Sequence, residues 1–360
     1  MQNAAAGTAI DPIFRISMTD HLRFKRHLRF LQDGDVVRVV TDLDGGTVVP
    51  AGDAFDHLLA AIGAGSDENS VRTELAERMQ VSAELVEALI LRLFKLNLIE
   101  RFDPTSDRFT RFDRQLLLLD ALAPCEAFVM NQDRQQHLAD AEVLILGLGG
   151  IGQQMALSLA SAGAGAVVLV DGDIVEESNL HRQILLNTAD IGRPKTYAVR
   201  EGLLRIAPSC RVRTRETMVG SAEEWNQVIG TFPNVRYVVL SADGSVDLVN
   251  WISAARTQHD YSFIKCGYMN TQGLIGPLLG PDTKDYGELF SSWAPLISAQ
   301  PQNIKDFNTR SMAPTMAASN AIMANIAALE LIKLITGAGA LQLVERRLVL
   351  DLDTYSLQEG

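Results

Sequence analysis

Val143-Leu144-Ile145-Leu146 runs directly into Gly147-Leu148-Gly149-Gly150-Ile151-Gly152, and this junction decides how the chain is read. A short unbroken apolar run bounded by glycine reads as a buried strand of a parallel sheet. The small-residue stretch behind it, through Met155, Leu159 and Ala160, reads as a helix, and Val167 to Val170 as a second strand ending at Asp171. Together they predict a βαβ unit. Glycines at its turn permit a tight bend and close backbone approach, and the helix N-terminus offers free N–H groups to a phosphate. Asp171 falls 24 residues beyond Gly147, where a carboxylate can hold ribose hydroxyls. Alone, this fingerprint specifies a nucleotide, with NAD the default.

What lies downstream changes that default. Asp171-Gly172-Asp173 leads through Ser178-Asn179-Leu180-His181-Arg182-Gln183 and Gly192-Arg193-Pro194 to Lys195, at the start of a predicted helix. A later strand, Tyr237 to Leu240, ends at Ser241-Ala242-Asp243. In this order, over residues 111–355, the sequence resembles the ThiF/MoeB-type adenylating enzymes, which share their fold with ubiquitin-activating enzymes. The resemblance implies an α/β chain with a Rossmann-like ThiF-type adenylation domain over residues 106–360, and ATP with Mg²⁺ as cofactors. It implies that Gly147, Gly149, Gly150 and Gly152 cradle the nucleotide and that Asp171 takes the ribose, with Asp173 supporting the same loop. Arg182 and Lys195 then contact the phosphates, Asn179 and Gln183 serve as neutral hydrogen-bonding partners, and Asp243 holds the metal. The chemistry asks for these types, because a carboxylate attacking the α-phosphate brings an anion toward a polyanion. No general base is required, since a carboxylate is already ionised near neutral pH.

Upstream, Arg111-Phe112-Asp113-Arg114-Gln115 resembles the R-Y-x-R-Q segment of the same family. Its second arginine crosses a two-fold interface to the partner's ATP. Carried over, Arg114 is a trans arginine and the chain a homodimer; a surface arginine near a linker is the plain alternative.

Two departures from the family stand out. Many members hold a structural zinc with two C-x-x-C pairs, but Pro281 to Leu289 and the tail Asp351 to Gly360 contain no cysteine. Cys125, Cys210 and Cys266 are the three cysteines of the chain and cannot supply four thiolates, so no structural zinc is expected. Cys266 ends an apolar strand, Tyr261 to Lys265, and reads as buried, which argues against acyl transfer to an enzyme thiol. Residues 281–312 mix Gly, Pro, Asn and Lys and read as a mobile crossover loop over the substrate, with Lys284, Lys305 and Arg310 available to acidic groups.

Residues 1–105 form a different unit. His27 to Gln32, Val36 to Leu43 and Thr47 to Pro50 read as strands, joined by Asp33-Gly34 and Asp44-Gly45-Gly46. Helices are predicted over Asp53–Ile62, Ser70–Met79 and Ala83–Leu96. Ser82 caps the last, with Leu85, Val86, Leu89, Leu93 and Leu96 on one face. The rhythm is that of a winged-helix-like α+β module. Between Ser66 and Glu100 it carries four basic residues against seven acidic ones, which excludes a DNA-recognition helix. The module resembles the recognition element of enzymes that modify ribosomally made peptides, where a leader peptide adds a strand to an open sheet edge. A packing or dimerisation domain is the alternative. With this added domain the chain resembles the MccB-like peptide-modifying branch of the family, with the pantocin A enzyme PaaA a related candidate.

The expected function is ATP-dependent adenylation of a carboxylate in a precursor peptide, releasing pyrophosphate, toward modification or cyclisation in peptide-antibiotic biosynthesis. Activation of a ubiquitin-like sulfur carrier, or a non-catalytic nucleotide-binding scaffold, are the alternatives. Composition agrees: among 360 residues, 32 basic and 44 acidic side chains give a net charge of −12, which argues against nucleic acid and anionic membranes as partners. Met1 to Thr19 lacks an apolar core and does not read as a signal peptide. Ala313 to Ile335 carries Asn320, Asn325, Glu330 and Lys333 and reads as a buried helix. Scattered cysteines fit a reducing cytoplasm.

Overall fold

The computed structural model describes residues 21–42, 45–63, 65–105, 110–290, 296–297, 299–308 and 313–360. The chain divides into two compact units between Gln132 and Asp133.

The N-terminal unit contains two three-stranded antiparallel sheets. One is built from β1 (His21–Phe24), β5 (Ser66–Asp67) and β6 (Ile99–Phe102), the other from β2 (Arg29–Asp33), β3 (Val36–Asp42) and β4 (Gly45–Pro50). The expected helices are present as α1 (Asp53–Ile62), α2 (Glu68–Met79) and α3 (Ala83–Lys95). Asp67 caps α2 by accepting the Ser70 N–H at 2.9 Å, and Ser82 caps α3 through the Leu85 N–H. The buried stripe of α3 is Val86, Ile90, Leu93 and Phe94. Leu85, expected on that stripe, is 56% exposed, because the inward face follows the i, i+4, i+7 positions counted from Val86. Leu43, the expected end of its strand, lies outside the described residues.

The expected boundary lies at 105/106, whereas the N-terminal unit continues through α4 (Asp113–Leu122) and into α5 (Val129–Asp140). A buried ion pair explains the continuation. The Lys25 ammonium donates to both Asp120 carboxylate oxygens at 2.8 Å and to the Cys125 carbonyl, with both side chains 1% exposed. That contact fastens α4 to the loop after β1.

The second unit is organised around an eight-stranded sheet. Its parallel core comprises β7 (Glu142–Leu146), β8 (Ala166–Asp171), β9 (Arg211–Glu216), β10 (Tyr237–Leu240) and β11 (Ser262–Met269), in the order β11-β10-β7-β8-β9. Antiparallel β12 (Gln272–Leu279), β13 (Leu348–Asp351) and β14 (Leu357–Glu359) extend it beyond β11. Every residue of β7 and β8 is buried, as the unbroken apolar runs predict. One face packs on α6 (Gly150–Ser161) and the other on α8 (Ala222–Gly230) and α9 (Leu248–His259), through Trp225, Val228 and Ile252. Strand order reverses between β7 and β10, which opens a crevice at their C-terminal ends. Helix α7 (Lys195–Ile206) links β8 to β9.

Within 281–312, the described residues include the short helices α10 (Tyr286–Leu289) and α11 (Gln302–Asn308). Arg310 and the Lys305 side chain lie outside the described residues. After β12, the buried Arg256 of α9 holds the chain by donating to the Gly280 carbonyl at 2.7 Å, to the Thr283 carbonyl and to Asp285. The last helix, α12 (Ala317–Thr336), is the one described helix long and apolar enough to cross a membrane. It packs on α6 and buries Asn320 and Glu330, and Glu330 accepts the Leu343 N–H at 2.8 Å.

The Lys25–Asp120 pair yields a stability prediction. Burial pushes the Asp120 pKa up, but the Lys25 ammonium and the Asn131 and Cys125 donors outweigh it, so the net shift is downward. A lowered folded-state pKa means the contribution is complete above the ordinary aspartate range and is lost as pH falls through the depressed value. Asp120→Ala leaves the Lys25 ammonium buried without its partner and is expected to cost about 3–5 kcal/mol near neutral pH. Denaturant titrations at neutral and acid pH check this: the gap between wild type and variant should narrow in acid.

Candidate active site

The crevice holds most of the residues singled out from the sequence. Its lining includes Gly147, Gly149, Asp171, Asp173, Arg182, Gln183, Lys195 and Asp243. They come from the ends of β7, β8 and β10, from the segment between β8 and α7, and from the first turn of α7.

The turn after β7 sets the geometry. Gly147 has φ +92°, and a Cβ there would stand 2.5 Å from the backbone of Ala242. Gly149 is the N-cap of α6 and has nothing within 4 Å of its missing Cβ, so it faces open space in the cleft. Gly150 and Gly152 serve packing. Their Cβ atoms would meet Asn320 Nδ2 at 2.1 Å and the Gly147 carbonyl at 1.9 Å. Neither lines the cleft.

Asp171 is buried and accepts two backbone N–H groups, Leu148 at 2.6 Å and Asp173 at 2.8 Å. Its carboxylate thereby ties the glycine turn to the segment after β8, and further lone pairs remain open to a donor. Asp173 pairs with Lys195 Nζ at 2.7 Å, and its carbonyl accepts the Lys195 N–H. Lys195 is buried and fixed in place. Arg182 donates to the Ser178 carbonyl at 2.6 Å and has no carboxylate partner among the described residues. Asp243 is exposed on the loop after β10, and no hydrogen bond or ion pair ties its carboxylate among the described residues.

Two expected residues behave differently. Asn179 is buried, accepts the Glu176 N–H and donates to Ser178 Oγ, and it does not line the cleft. Arg114 lies exposed on α4 of the N-terminal unit.

The structure also reveals residues that sequence reasoning missed. Gln153 is fully buried and donates to the Leu148 carbonyl at 2.9 Å and to Gln183 Oε1 at 3.1 Å, while its own oxygen accepts the Leu185 N–H. It braces the glycine turn against the loop carrying Arg182. An uncharged amide one step after the last glycine, inside an apolar helix, is the signal that could have found it. Thr217, Met218 and Val219, after β9, supply a wall of the cleft.

The ThiF family profile matches residues 123–359. The chain belongs to the ThiF family. The sulfur carrier protein ThiS adenylyltransferase of Escherichia coli (strain K12) is 43% identical over 115 residues, 32% of this chain and 42% of that protein. The chain thus spans less than half the length of that relative. Among solved structures, Escherichia coli MccB with ATP superposes with a TM-score of 0.75 at 23% identity, covering 94% of this chain and 96% of that one. PaaA superposes with a TM-score of 0.71 at 21% identity, covering 92% and 98%. At these identities the likeness establishes a common fold, with the Rossmann-like sheet at its centre.

The two cleft glycines separate folding from binding. Gly147→Ala forces a strained φ and a backbone clash and should destabilise by about 1–3 kcal/mol or more. Gly149→Ala should leave the melting temperature near wild type and weaken nucleotide affinity about tenfold, by placing a methyl where the ligand approaches. Thermal melts and calorimetric ATP titrations of both variants measure this. Equal ATP affinity in Gly149→Ala and wild type would count against the cleft assignment.

Proposed function

We propose that the protein is a cytoplasmic ATP-dependent adenylyltransferase that activates a carboxylate of a ribosomally made precursor peptide. The observation that carries the chemistry is the convergence of Asp171, Arg182, Lys195 and Asp243 on one cleft at the strand ends. A substrate carboxylate oxygen attacks the α-phosphorus of ATP, the bond from that phosphorus to the bridging oxygen breaks, and pyrophosphate leaves with the electron pair. No proton is transferred. Arg182 and Lys195 are fixed before the reactants arrive, so they offset the repulsion between two anions without reorganising. The free Asp243 carboxylate suits Mg²⁺, which takes one or two protein carboxylates and completes its shell with phosphate oxygens and water. There the ion would supply charge neutralisation at the phosphates.

A peptide substrate is supported by the N-terminal unit. Its β2-β3-β4 sheet has two outer strands, β2 and β4, to which an extended peptide can add. An apolar hollow beside it is lined by Phe24, Phe30, Val39, Phe55, Leu93 and Leu96. The likeness in fold to MccB extends over nearly the whole chain, and MccB has been solved both with ATP and with MccA-N7isoASN. A second reading, activation of a sulfur-carrier C-terminus, is favoured by the 43% identity to the ThiS adenylyltransferase. Against covalent transfer to an enzyme thiol, all three cysteines are buried. Burial pushes the Cys266 thiol up to about 12 and Cys210 to about 11.

Pyrophosphate release with short peptides, against a ubiquitin-like protein ending in Gly-Gly, separates the two readings. Asp243→Ala should fold normally and lose about a hundredfold in turnover; near-normal release would remove the metal assignment. The dimeric site with a trans Arg114 has its own test. Arg114→Ala and Asp243→Ala should each be inactive, yet equal mixing makes about half the dimers hybrid, each with one intact site. Activity should then return to about a quarter of wild type. No recovery, with hybrids confirmed by mass spectrometry, would remove the trans arginine.

A further inference from the structure

A second hollow shares Ala242, Asp243, Gly244 and Leu248 with the nucleotide cleft and continues to Val249 and Lys265. Lys265 stands on β11 opposite Leu240 of β10. Its ammonium makes no hydrogen bond or ion pair among the described residues and lies 5.8 Å from the Tyr286 ring centroid. Tyr286 packs on Phe290 with centroids 5.0 Å apart, and the Arg347 guanidinium lies 4.5 Å from the Phe290 centroid. Arg347 also has no carboxylate partner, and its buried Nε no hydrogen-bond partner, among the described residues. Burial pushes the Lys265 pKa down, Asp243 partly opposes this, and Arg347 pushes it further down.

Two half-buried cations thus flank one aromatic pair; Asp243 is the carboxylate that acts on Lys265, but neither cation makes an ion pair among the described residues. Rings attract cations but do not neutralise them, and unpaired charge held out of water is costly. Such an arrangement is completed by an anionic ligand. The nucleotide cleft already has its cations, Arg182 and Lys195, and Lys265 does not line it. In an in-line displacement the attacking and leaving oxygens lie on opposite sides of the phosphorus. A cationic hollow reached past Asp243 therefore fits the attacking acid.

We propose that Lys265 and Arg347 form the subsite that receives the carboxylate of the acyl substrate before it meets the α-phosphate. This rests on the adenylation reading above. Because the natural acid is unidentified, glutarate serves as the probe, with neutral glutaramide and inorganic pyrophosphate as controls. The full chain, loaded with α,β-methylene-ATP, is treated with N-hydroxysuccinimidyl acetate, and acetylation of Lys265 is read by mass spectrometry.

A carboxylate held against the ammonium favours its protonated, unreactive form, so saturating glutarate should slow acetylation about tenfold, with glutaramide giving no protection. Arg347→Gln should abolish most of this protection, while Arg347→Lys, which keeps the charge, retains it; melting temperatures verify that both variants are folded. If Arg347→Gln does not fold, the three probes on the wild-type chain decide alone. No protection by glutarate, protection by pyrophosphate only, or undiminished protection in folded Arg347→Gln would each overturn the subsite. Calorimetry on the same samples reports α,β-methylene-ATP binding separately. Its absence would strike the adenylation reading rather than the carboxylate subsite, which glutarate protection of the unloaded chain still tests.

Discussion

The candidate site depends on one carboxylate. Asp171 accepts the N–H of Leu148 in the turn after β7 and the N–H of Asp173 in the segment after β8. Those two bonds fix the glycine turn and the start of the Lys195 loop to a single buried group. Asp173 then carries the constraint onward by its ion pair with Lys195, and Gln153 closes the circuit by joining the same turn to the Arg182 loop. Charge-assisted bonds to backbone donors are among the stronger polar contacts available to a buried carboxylate. The cations of the cleft are therefore held by backbone that is itself held.

The distribution of charge follows a consistent logic. The chain carries a net charge of −12, yet its cleft keeps Arg182 free of any carboxylate among the described residues. Lys195 is treated differently, buried and paired, which sets its position at the cost of part of its field. A site built this way presents one positioned cation, one cation without a carboxylate partner and one carboxylate without an ion pair among the described residues. The same pattern extends to Lys265 and Arg347, whose positive charges lie against aromatic rings and form no ion pair among the described residues.

Much of this was legible in the sequence for physical reasons. Strands β7 and β8 are buried on both faces, so their unbroken apolar runs mark them clearly, and Pro194 preceding Lys195 fixes the start of α7. The glycine spacing gave the turn, though not the division of labour in which Gly147 and Gly149 meet the cleft while Gly150 and Gly152 serve packing. What stayed hidden lacked a local signal. Strand β9 reads Arg-Val-Arg-Thr-Arg-Glu at a sheet edge, so the wall it leads to, Thr217 to Val219, could not be anticipated from apolar runs. Strands β1, β5 and β6 are too short for a period-two pattern, and nothing in the spacing around Asn179 reveals the turn it closes. The Lys25–Asp120 pair spans 95 positions and is visible only in three dimensions.

The central claim is that a substrate carboxylate attacks the α-phosphorus of ATP in this cleft. Oxygen-18 in the substrate carboxylate follows that oxygen directly. When the acyl group is passed on or hydrolysed at carbon, the account predicts AMP carrying one labelled oxygen and unlabelled pyrophosphate. Label appearing in orthophosphate together with ADP would mean attack at the γ-phosphorus and would contradict the account.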